Sequence, residues 1–162
     1  MLKIRGALQS DAQAIYEVHY EAVHKTAAAD YELEILDEWS SNAANRVETL
    51  RTHIKDNPEQ TVMIVAELDG RVVGFGEVVP SKNELRAVYV SPSVGRKGVG
   101  KALLYEIESI ARQNQAEHLW LDSSLTAAKF YARNGYQNDG NSEHELKTGR
   151  KMQCVKMSKK LV

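Results

Sequence analysis

Three glycines and three cations stand together in a seven-residue stretch in the middle of the chain. The stretch is Gly95-Arg96-Lys97-Gly98-Val99-Gly100-Lys101. Glycines let backbone N–H groups approach an anion closely, and a helix that begins there adds a partial positive charge. The composition therefore predicts a site for a phosphate-bearing small molecule. A turn that only joins two elements is the less favoured interpretation.

The elements on either side of this stretch are those that such a site needs. The apolar run Leu85–Val90 predicts a strand that leads into it. A helix is expected from Gly98 to Gln113, because apolar residues recur there at helical spacing. A strand, a glycine-rich turn and a helix start would place backbone amides around an anion.

Two other phosphate-binding motifs fit the stretch less well. Its first and last glycines, followed by Lys101, match the loop of a nucleotide triphosphatase, but Ala102 replaces the Ser or Thr that ligates magnesium. A dinucleotide fingerprint fails because Leu103 stands where its third glycine belongs. Both classes are therefore disfavoured.

The rest of the chain predicts an α/β fold in a single domain over residues 1–162, with helices on both faces of a mixed sheet. Ser10 and Asp11 are expected to cap the first of three early helices. Asp69-Gly70 is a strong hairpin signal between two apolar runs. The expected later elements are a strand at His118–Leu121, a helix at Leu125–Asn134, a loop over 137–143 and a strand near Met152–Met157.

Charge and cysteine content narrow the class of protein. The chain has 21 Lys plus Arg and 22 Asp plus Glu, so its formal net charge is −1. This balance argues against nucleic-acid or membrane-surface partners, which favour a basic excess. The single cysteine, Cys154, excludes an internal disulfide, and no apolar run resembles a signal peptide or a membrane span. A cytoplasmic protein is expected.

Two motifs, in order and correctly spaced, resemble those of the GNAT superfamily of acyl-CoA N-acyltransferases. The run from Leu85 to Leu104 is similar to the family's central motif, an apolar strand, a proline and a Q/R-x-x-G-x-G/A loop that opens a helix. The run from Ser124 to Tyr136 is similar to its N/S-x-x-A-x-x-x-Y-x-x-x-G-F/Y helix. The match departs from the family at two neighbouring positions: Gly95 stands where the family has Gln or Arg, and Arg96 stands where the family has the glycine that follows. The resemblance implies a mostly antiparallel sheet with a splayed central strand pair.

The resemblance also implies an activity. The chain is expected to transfer an acetyl group from acetyl-CoA to a primary amine of a small molecule, directly in a ternary complex and without a metal. A protein N-terminus or lysine as acceptor, and a non-catalytic acyl-CoA-binding module, are the alternatives. A homodimer is a further possibility that the family suggests. The stretch from Gly95 to Lys101 would hold the coenzyme A pyrophosphate, and backbone amides of Val88, Tyr89 and Val90 would meet the pantetheine and the carbonyl.

Catalytic roles follow from the same resemblance. Tyr131 matches the family's general acid beside the coenzyme sulfur; its alternative role is core packing. Ser124 would either bond the pantetheine or cap the following helix. Glu77 and Glu84 are the candidates for a general base that acts through water, and for Glu84 a solvated charge at a strand end is the more expected role. The side chain of Tyr89 is expected near the acceptor.

Overall fold

One seven-stranded sheet forms the centre of the computed structural model, which describes all residues, 1–162. The strands are β1 (Leu2–Gly6), β2 (Val62–Leu68), β3 (Arg71–Val79), β4 (Glu84–Val90), β5 (His118–Ser124), β6 (Gln137–Glu145) and β7 (Lys151–Lys160). Their spatial order is β1-β2-β3-β4-β5-β7-β6. All neighbours are antiparallel except β4 and β5, which are parallel. The predicted mixed, mostly antiparallel sheet is confirmed.

Five α-helices accompany the sheet. They are α1 (Ala12–Glu21), α2 (Leu33–Trp39), α3 (Arg46–Asp56), α4 (Val99–Gln113) and α5 (Ala128–Arg133). The segment Ala22–Thr26 continues α1 as one π-helical turn. None of the helices is both long enough and apolar enough to span a membrane.

The sheet is covered on both faces, and glycines in β3 set the distance of α4. A Cβ at Gly76 would lie 2.6 Å from Cδ1 of Ile107, so only glycine lets the α4 side chain reach the sheet without displacement. On the opposite face, Ile15 and Val18 of α1 pack with Phe75 of β3. This arrangement makes β3 and β4 the rigid floor shared by both layers.

Strand β4 diverges from β5 soon after it begins. Ala87 faces Glu77 and Leu85 faces Val78, which leaves Arg86 as an extra residue in β4. Such a bulge bends its strand and increases its local twist. The only register pair between β4 and β5 precedes the bulge, at Glu84 and Trp120. A cleft therefore opens between the later residues of the two strands.

Three local predictions are wrong. The expected loop at 137–143 is part of β6, an edge strand with both faces exposed, so no apolar alternation marks it. The helix predicted from Leu125 begins only at Ala128, because Ala127 N–H donates to Oγ of Ser124 (3.1 Å) in a turn before it. The side chains of Ser10 and Asp11 do not cap α1.

Asp11 instead anchors α1 to β1. Its carboxylate accepts hydrogen bonds from Arg5 Nη1 (2.7 Å) and from Leu8 N–H (2.8 Å), and its side chain is 8% exposed. The hydrogen bond from Arg5 is the main reason that the pKa of Asp11 lies below its usual value. A carboxylate that is more acidic in the folded state stabilises the protein at neutral pH, and this contribution is lost as the pH falls through the lowered pKa.

Asp11→Asn is expected to lower the free energy of unfolding at pH 7 by about 2–3 kcal/mol, because Arg5 loses the more buried of its two charged partners and keeps only Glu67. The difference in free energy of unfolding between the variant and the parent should shrink below about pH 4, where Asp11 of the unfolded chain is protonated. Urea denaturation at both pH values measures this. Asp56→Asn, at an exposed aspartate without an ion pair, is the control and should change stability little. An equal loss in the two variants would contradict the assignment.

Candidate active site

A cavity of about 470 Å³ lies where the glycine-rich stretch meets α4 and α5, and we call it the loop groove. Among the predicted binding residues, those that line it are Val88, Tyr89, Val90, Gly95, Arg96, Gly98, Val99, Gly100, Lys101 and Ser124. Lys97 is exposed and lies outside the lining. The structure thus brings most of the predicted anion-binding residues to one surface.

The start of α4 presents free backbone donors to this groove. The first intrahelical bond is from Ala102 N–H to Gly98 O (3.0 Å), so the amides of Val99, Gly100 and Lys101 have no backbone acceptor. Gly98 precedes them with φ 78°, in the left-handed region that favours glycine. Donors at a helix N-terminus attract anions through their N–H groups and the helix dipole.

Arg96 also adopts a left-handed backbone, with φ 64°. This conformation is uncommon for residues other than glycine, asparagine and aspartate. The backbone at residue 96 thus has the conformation that favours a glycine, which is the residue that the family pattern has there, although this chain has arginine. In return, the loop groove gains a guanidinium group on its wall.

Gly100 brings the floor of the groove close to α5. A Cβ at Gly100 would lie 3.3 Å from Cε2 of Phe130, tighter than nine in ten real contacts of a Cβ atom, so the Phe130 ring would have to shift slightly. Gly100 therefore lets α4 and α5 approach each other beneath the free amides. Amide donors, two cations and a side-chain-free floor together fit a pyrophosphate-bearing ligand such as coenzyme A.

A second cavity, of about 540 Å³, lies between the diverging strands β4 and β5, and we call it the cleft. It contains Tyr131, Glu84 and Ser124. The cleft shares five lining residues with the loop groove, namely Trp39, Val88, Tyr89, Ser124 and Ala127. The two cavities therefore meet along the open edge of β4.

Tyr131 reaches the cleft from α5. Its side chain is held by edge-on contacts with the rings of Phe130 and Tyr136, and the residue is 4% exposed. Its hydroxyl forms no hydrogen bond with the protein, unlike that of Tyr31, which donates to Gln153 O at 2.6 Å. Burial raises the pKa of Tyr131 above the ordinary value of about 10. The phenol therefore stays protonated at neutral pH and is able to donate a proton.

The carboxylates predicted as base candidates occupy different surroundings. Glu77, on β3, is 7% exposed, and its Oε1 lies 2.7 Å from Nε2 of His53. Glu84, at the start of β4, accepts from Arg86 Nη2 at 3.1 Å and belongs to a surface ion-pair group that includes Glu59. The two candidates do not line the same cavity.

Glu77 belongs to a third cavity, of about 350 Å³, which lies beneath α1 and α3 and which we call the α3 cavity. On α3, its lining comes from Arg46, Thr49, Leu50 and His53, which share one helix face. Arg86, Ala87 and Tyr89 line both this cavity and the cleft.

Tyr89 is where the three cavities meet, since it lines all of them. Its ring stacks on Phe75 with centroids 5.3 Å apart and meets the edge of His19 at 4.6 Å. Trp39 lies 6.2 Å away. This aromatic cluster fixes the Tyr89 side chain between the loop groove and the α3 cavity.

The sequence interpretation missed His53, Arg46 and Arg86. Helix α3 has no fully buried residue, so its pattern is that of an ordinary surface helix. The spacing of Arg46 and His53, seven residues apart, places them on one face and is the signal that could have found them. Arg86 lies in an apolar strand, and only the bulge turns it toward both cavities.

Comparison with known proteins identifies the family of this chain. Residues 27–161 match the model of the acetyltransferase (GNAT) domain. The chain is 25% identical over 142 residues to spermidine N(1)-acetyltransferase of Thermoplasma acidophilum. The aligned region covers 84% of this chain and 88% of that protein.

Solved structures share the fold. A GCN5-related N-acetyltransferase from Rhodopseudomonas palustris superposes with a TM-score of 0.86 at 24% identity, over 98% of this chain and 94% of that one. The PaiA N-acetyltransferase of Thermoplasma acidophilum, solved in complex with coenzyme A, gives 0.78 at 24% identity, over 99% of each chain. The chain therefore belongs to the GNAT acetyltransferase family and is an acetyl-CoA-dependent transferase.

Proposed function

We propose that this protein acetylates a primary amine of a small molecule, by direct transfer from acetyl-CoA within a ternary complex. The observation that carries the proposal is the junction of the three cavities at Tyr89. A cosubstrate in the loop groove and an acceptor in the α3 cavity would meet at the cleft. Both would be bound at once, as direct transfer requires.

The loop groove holds the cosubstrate by its phosphates. The amides of Val99, Gly100 and Lys101 donate to the pyrophosphate, and the side chains of Arg96 and Lys101 add positive charge. When bound, acetyl-CoA supplies an acetyl group activated as a thioester. No step of this assignment requires a metal.

Two amides of β4 are directed toward the cleft. Ser91 N–H donates to Val73 O at 2.8 Å and therefore points to β3. Along β4, the N–H groups point alternately to β3 and away from it. The amide of Tyr89 then points to β3, whereas those of Val88 and Val90 point to the open side. We assign Val88 and Val90 to the pantetheine and the acetyl carbonyl, and Tyr89 to the cavity junction through its ring.

Tyr131 is assigned as the general acid. The neutral amine forms the carbon–nitrogen bond as the carbon–sulfur bond breaks, and the Tyr131 hydroxyl, protonated at neutral pH, donates its proton to the leaving sulfur. The resulting phenolate takes up the proton that the new amide nitrogen loses. Ser124 holds the turn before α5, since its Oγ accepts the Ala127 N–H, and it also lines both the groove and the cleft. Its hydroxyl hydrogen is left to bond the pantetheine.

Glu77 is assigned as the general base. It accepts a proton from the acceptor ammonium through water, so that a neutral amine reaches the carbonyl. Its partner His53 is 29% exposed at the side chain and offers a route for that proton to solvent. Glu84 is bound to Arg86 at the mouth of the cleft, and we assign it to holding that arginine.

A small-molecule acceptor is favoured because the α3 cavity is roofed by α1 and α3 and has a volume of about 350 Å³. That size suits a metabolite rather than a protein segment. The relative named for spermidine makes a polyamine one of the first acceptors to test. A panel of primary amines, assayed by release of coenzyme A thiol, tests the function. Absence of release with every amine would overturn it.

Lys101→Glu is expected to weaken coenzyme A binding by about 10–100-fold, because a negative charge replaces a positive one beside the pyrophosphate. The defect should shrink in high salt, which screens exposed charges. Isothermal titration with coenzyme A at two salt concentrations measures this. The control is Lys129→Glu on α5, an exposed lysine outside the groove lining. Equal affinity in both variants would contradict the assignment.

A further inference from the structure

Arg46 is the one cation of the α3 cavity that has no carboxylate partner. It lines the cavity, and its Nε is buried without any hydrogen-bond partner. The other basic side chains there have partners: Arg86 pairs with Glu59 and Glu84, and Nε2 of His53 is hydrogen-bonded to Glu77. A buried guanidinium donor without a partner is costly unless something accepts from it.

No atom of the cavity wall accepts a hydrogen bond from Nε of Arg46. His19, which also lines the cavity, uses its Nδ1 on Oγ of Ser40 at 2.8 Å. Burial, followed by the charge of Arg46, lowers the pKa of His19 to about 4, so it is neutral at pH 7. The carboxylate of Glu77 is held by His53, which lies seven residues and about 10 Å along α3 from Arg46.

The α3 cavity thus contains two unlike charged groups. Arg46, an unpaired cation, lies about two helical turns along α3 from His53, the partner of the Glu77 carboxylate. The cavity wall also includes the apolar side chains of Ile15, Leu50 and Phe75. An amine attracted to Glu77 and an anionic group attracted to Arg46 would satisfy both charged groups, with hydrocarbon between the amine and the anionic group.

We propose that the acceptor is a primary amine that also carries a carboxylate, and that Arg46 binds this carboxylate. The inference rests on the proposed function, because it takes the α3 cavity as the acceptor site. Guanidinium–carboxylate pairs are strong and often bidentate, so Arg46 would select as well as bind. A polyamine would bring a second cation toward Arg46 and is disfavoured.

The test compares amines that differ only in the anionic group. The probes are 6-aminohexanoate against hexylamine, 8-aminooctanoate against octylamine, and spermidine, each assayed by thiol release. For at least one pair we expect kcat/KM to favour the carboxylate by about tenfold or more.

Arg46→Gln should lower kcat/KM for the preferred amino carboxylate by about 10–100-fold and leave kcat/KM for the matching amine without a carboxylate nearly unchanged. The control is Arg51→Gln, which removes the same charge from the same helix at a surface pair with Glu48, outside the cavity. Spermidine as the best acceptor, or an equal fall for both members of a pair in Arg46→Gln, would overturn the inference while the transferase function stands.

Thermal stability in the presence of coenzyme A separates the two proposals. If no amine supports thiol release but 6-aminohexanoate or 8-aminooctanoate raises Tm of the parent and not of Arg46→Gln, acetyl transfer to small amines fails and the carboxylate site stands. If neither carboxylate raises Tm of the parent nor is preferred in turnover, the carboxylate site itself is refuted.

Discussion

Replacing Tyr131 with Phe is expected to lower kcat by about 10²–10⁴-fold, while the Kd for coenzyme A stays unchanged. The substitution removes only the hydroxyl, and that hydroxyl makes no hydrogen bond to the protein. Packing against Phe130 and Tyr136 is retained, so the loss would be that of the proton donor. Steady-state kinetics and isothermal titration with coenzyme A measure the two quantities.

A neighbouring tyrosine provides the matched control. Tyr136→Phe makes the same chemical change 5.6 Å away, at a ring that does not line the cleft. The Tyr136 hydroxyl is buried without a partner, so its removal should leave activity intact and be neutral or stabilising for the fold. If Tyr131→Phe retains the parent kcat, then Tyr131 is a core residue and the proton donor must be sought elsewhere.

Glu77→Gln is expected to lower kcat/KM by about 10²-fold or more at neutral pH. The amide keeps the size of the side chain and is unable to accept the ammonium proton. Because an amine that is already neutral needs no base, the deficit should narrow as the pH rises toward the amine's own pKa. Rate profiles of the parent and the variant between pH 6 and about 10 measure this narrowing.

Glu84→Gln gives the comparison for this prediction. Glu84 is held by Arg86 at the surface end of the cleft, and its replacement should change the rate little. If instead Glu84→Gln shows the large, pH-dependent deficit, the base is Glu84 and not Glu77. A deficit in Glu77→Gln that is constant with pH would indicate that Glu77 positions His53 or α3 and takes no proton.

The elements that carry the site were predictable because each has a local chemical signature. Asp69-Gly70 lies at a positive-φ turn between β2 and β3, with φ values of 50° and 82°. Gly98 and Gly100 stand where the backbone needs them, before and inside the first turn of α4. Gly135 ends α5 in the left-handed conformation expected of a helix C-terminus.

Other features depend on the tertiary structure and leave no local signature. Strand β6 is polar on both faces and is held by its ladder with β7 alone, so its residues resemble a loop. The extra residue in β4 becomes visible only when its register with β3 is known. Asp11 is a good capping residue by type, yet Arg5 from β1 binds its carboxylate.

The same limit applies to the α3 cavity. Arg46 and His53 are ordinary surface residues by sequence, and their chemistry appears only when α3 packs beside β3. Tyr31 is another case, since its hydroxyl accepts from Leu125 N–H at 2.8 Å across 94 residues of sequence. The role of a side chain whose partner is distant in the sequence can be identified only from the folded structure.

The single backbone pair between β4 and β5 has a mechanical consequence. The sheet consists of two sets of paired strands, β1 to β4 and β5 with β7 and β6, which are joined by one register pair at Glu84 and Trp120. Beyond that pair the two sets are held together by side chains of one buried core cluster and not by a ladder. A ligand in the cleft would contact strands of both sets, and binding is therefore expected to stiffen the whole sheet.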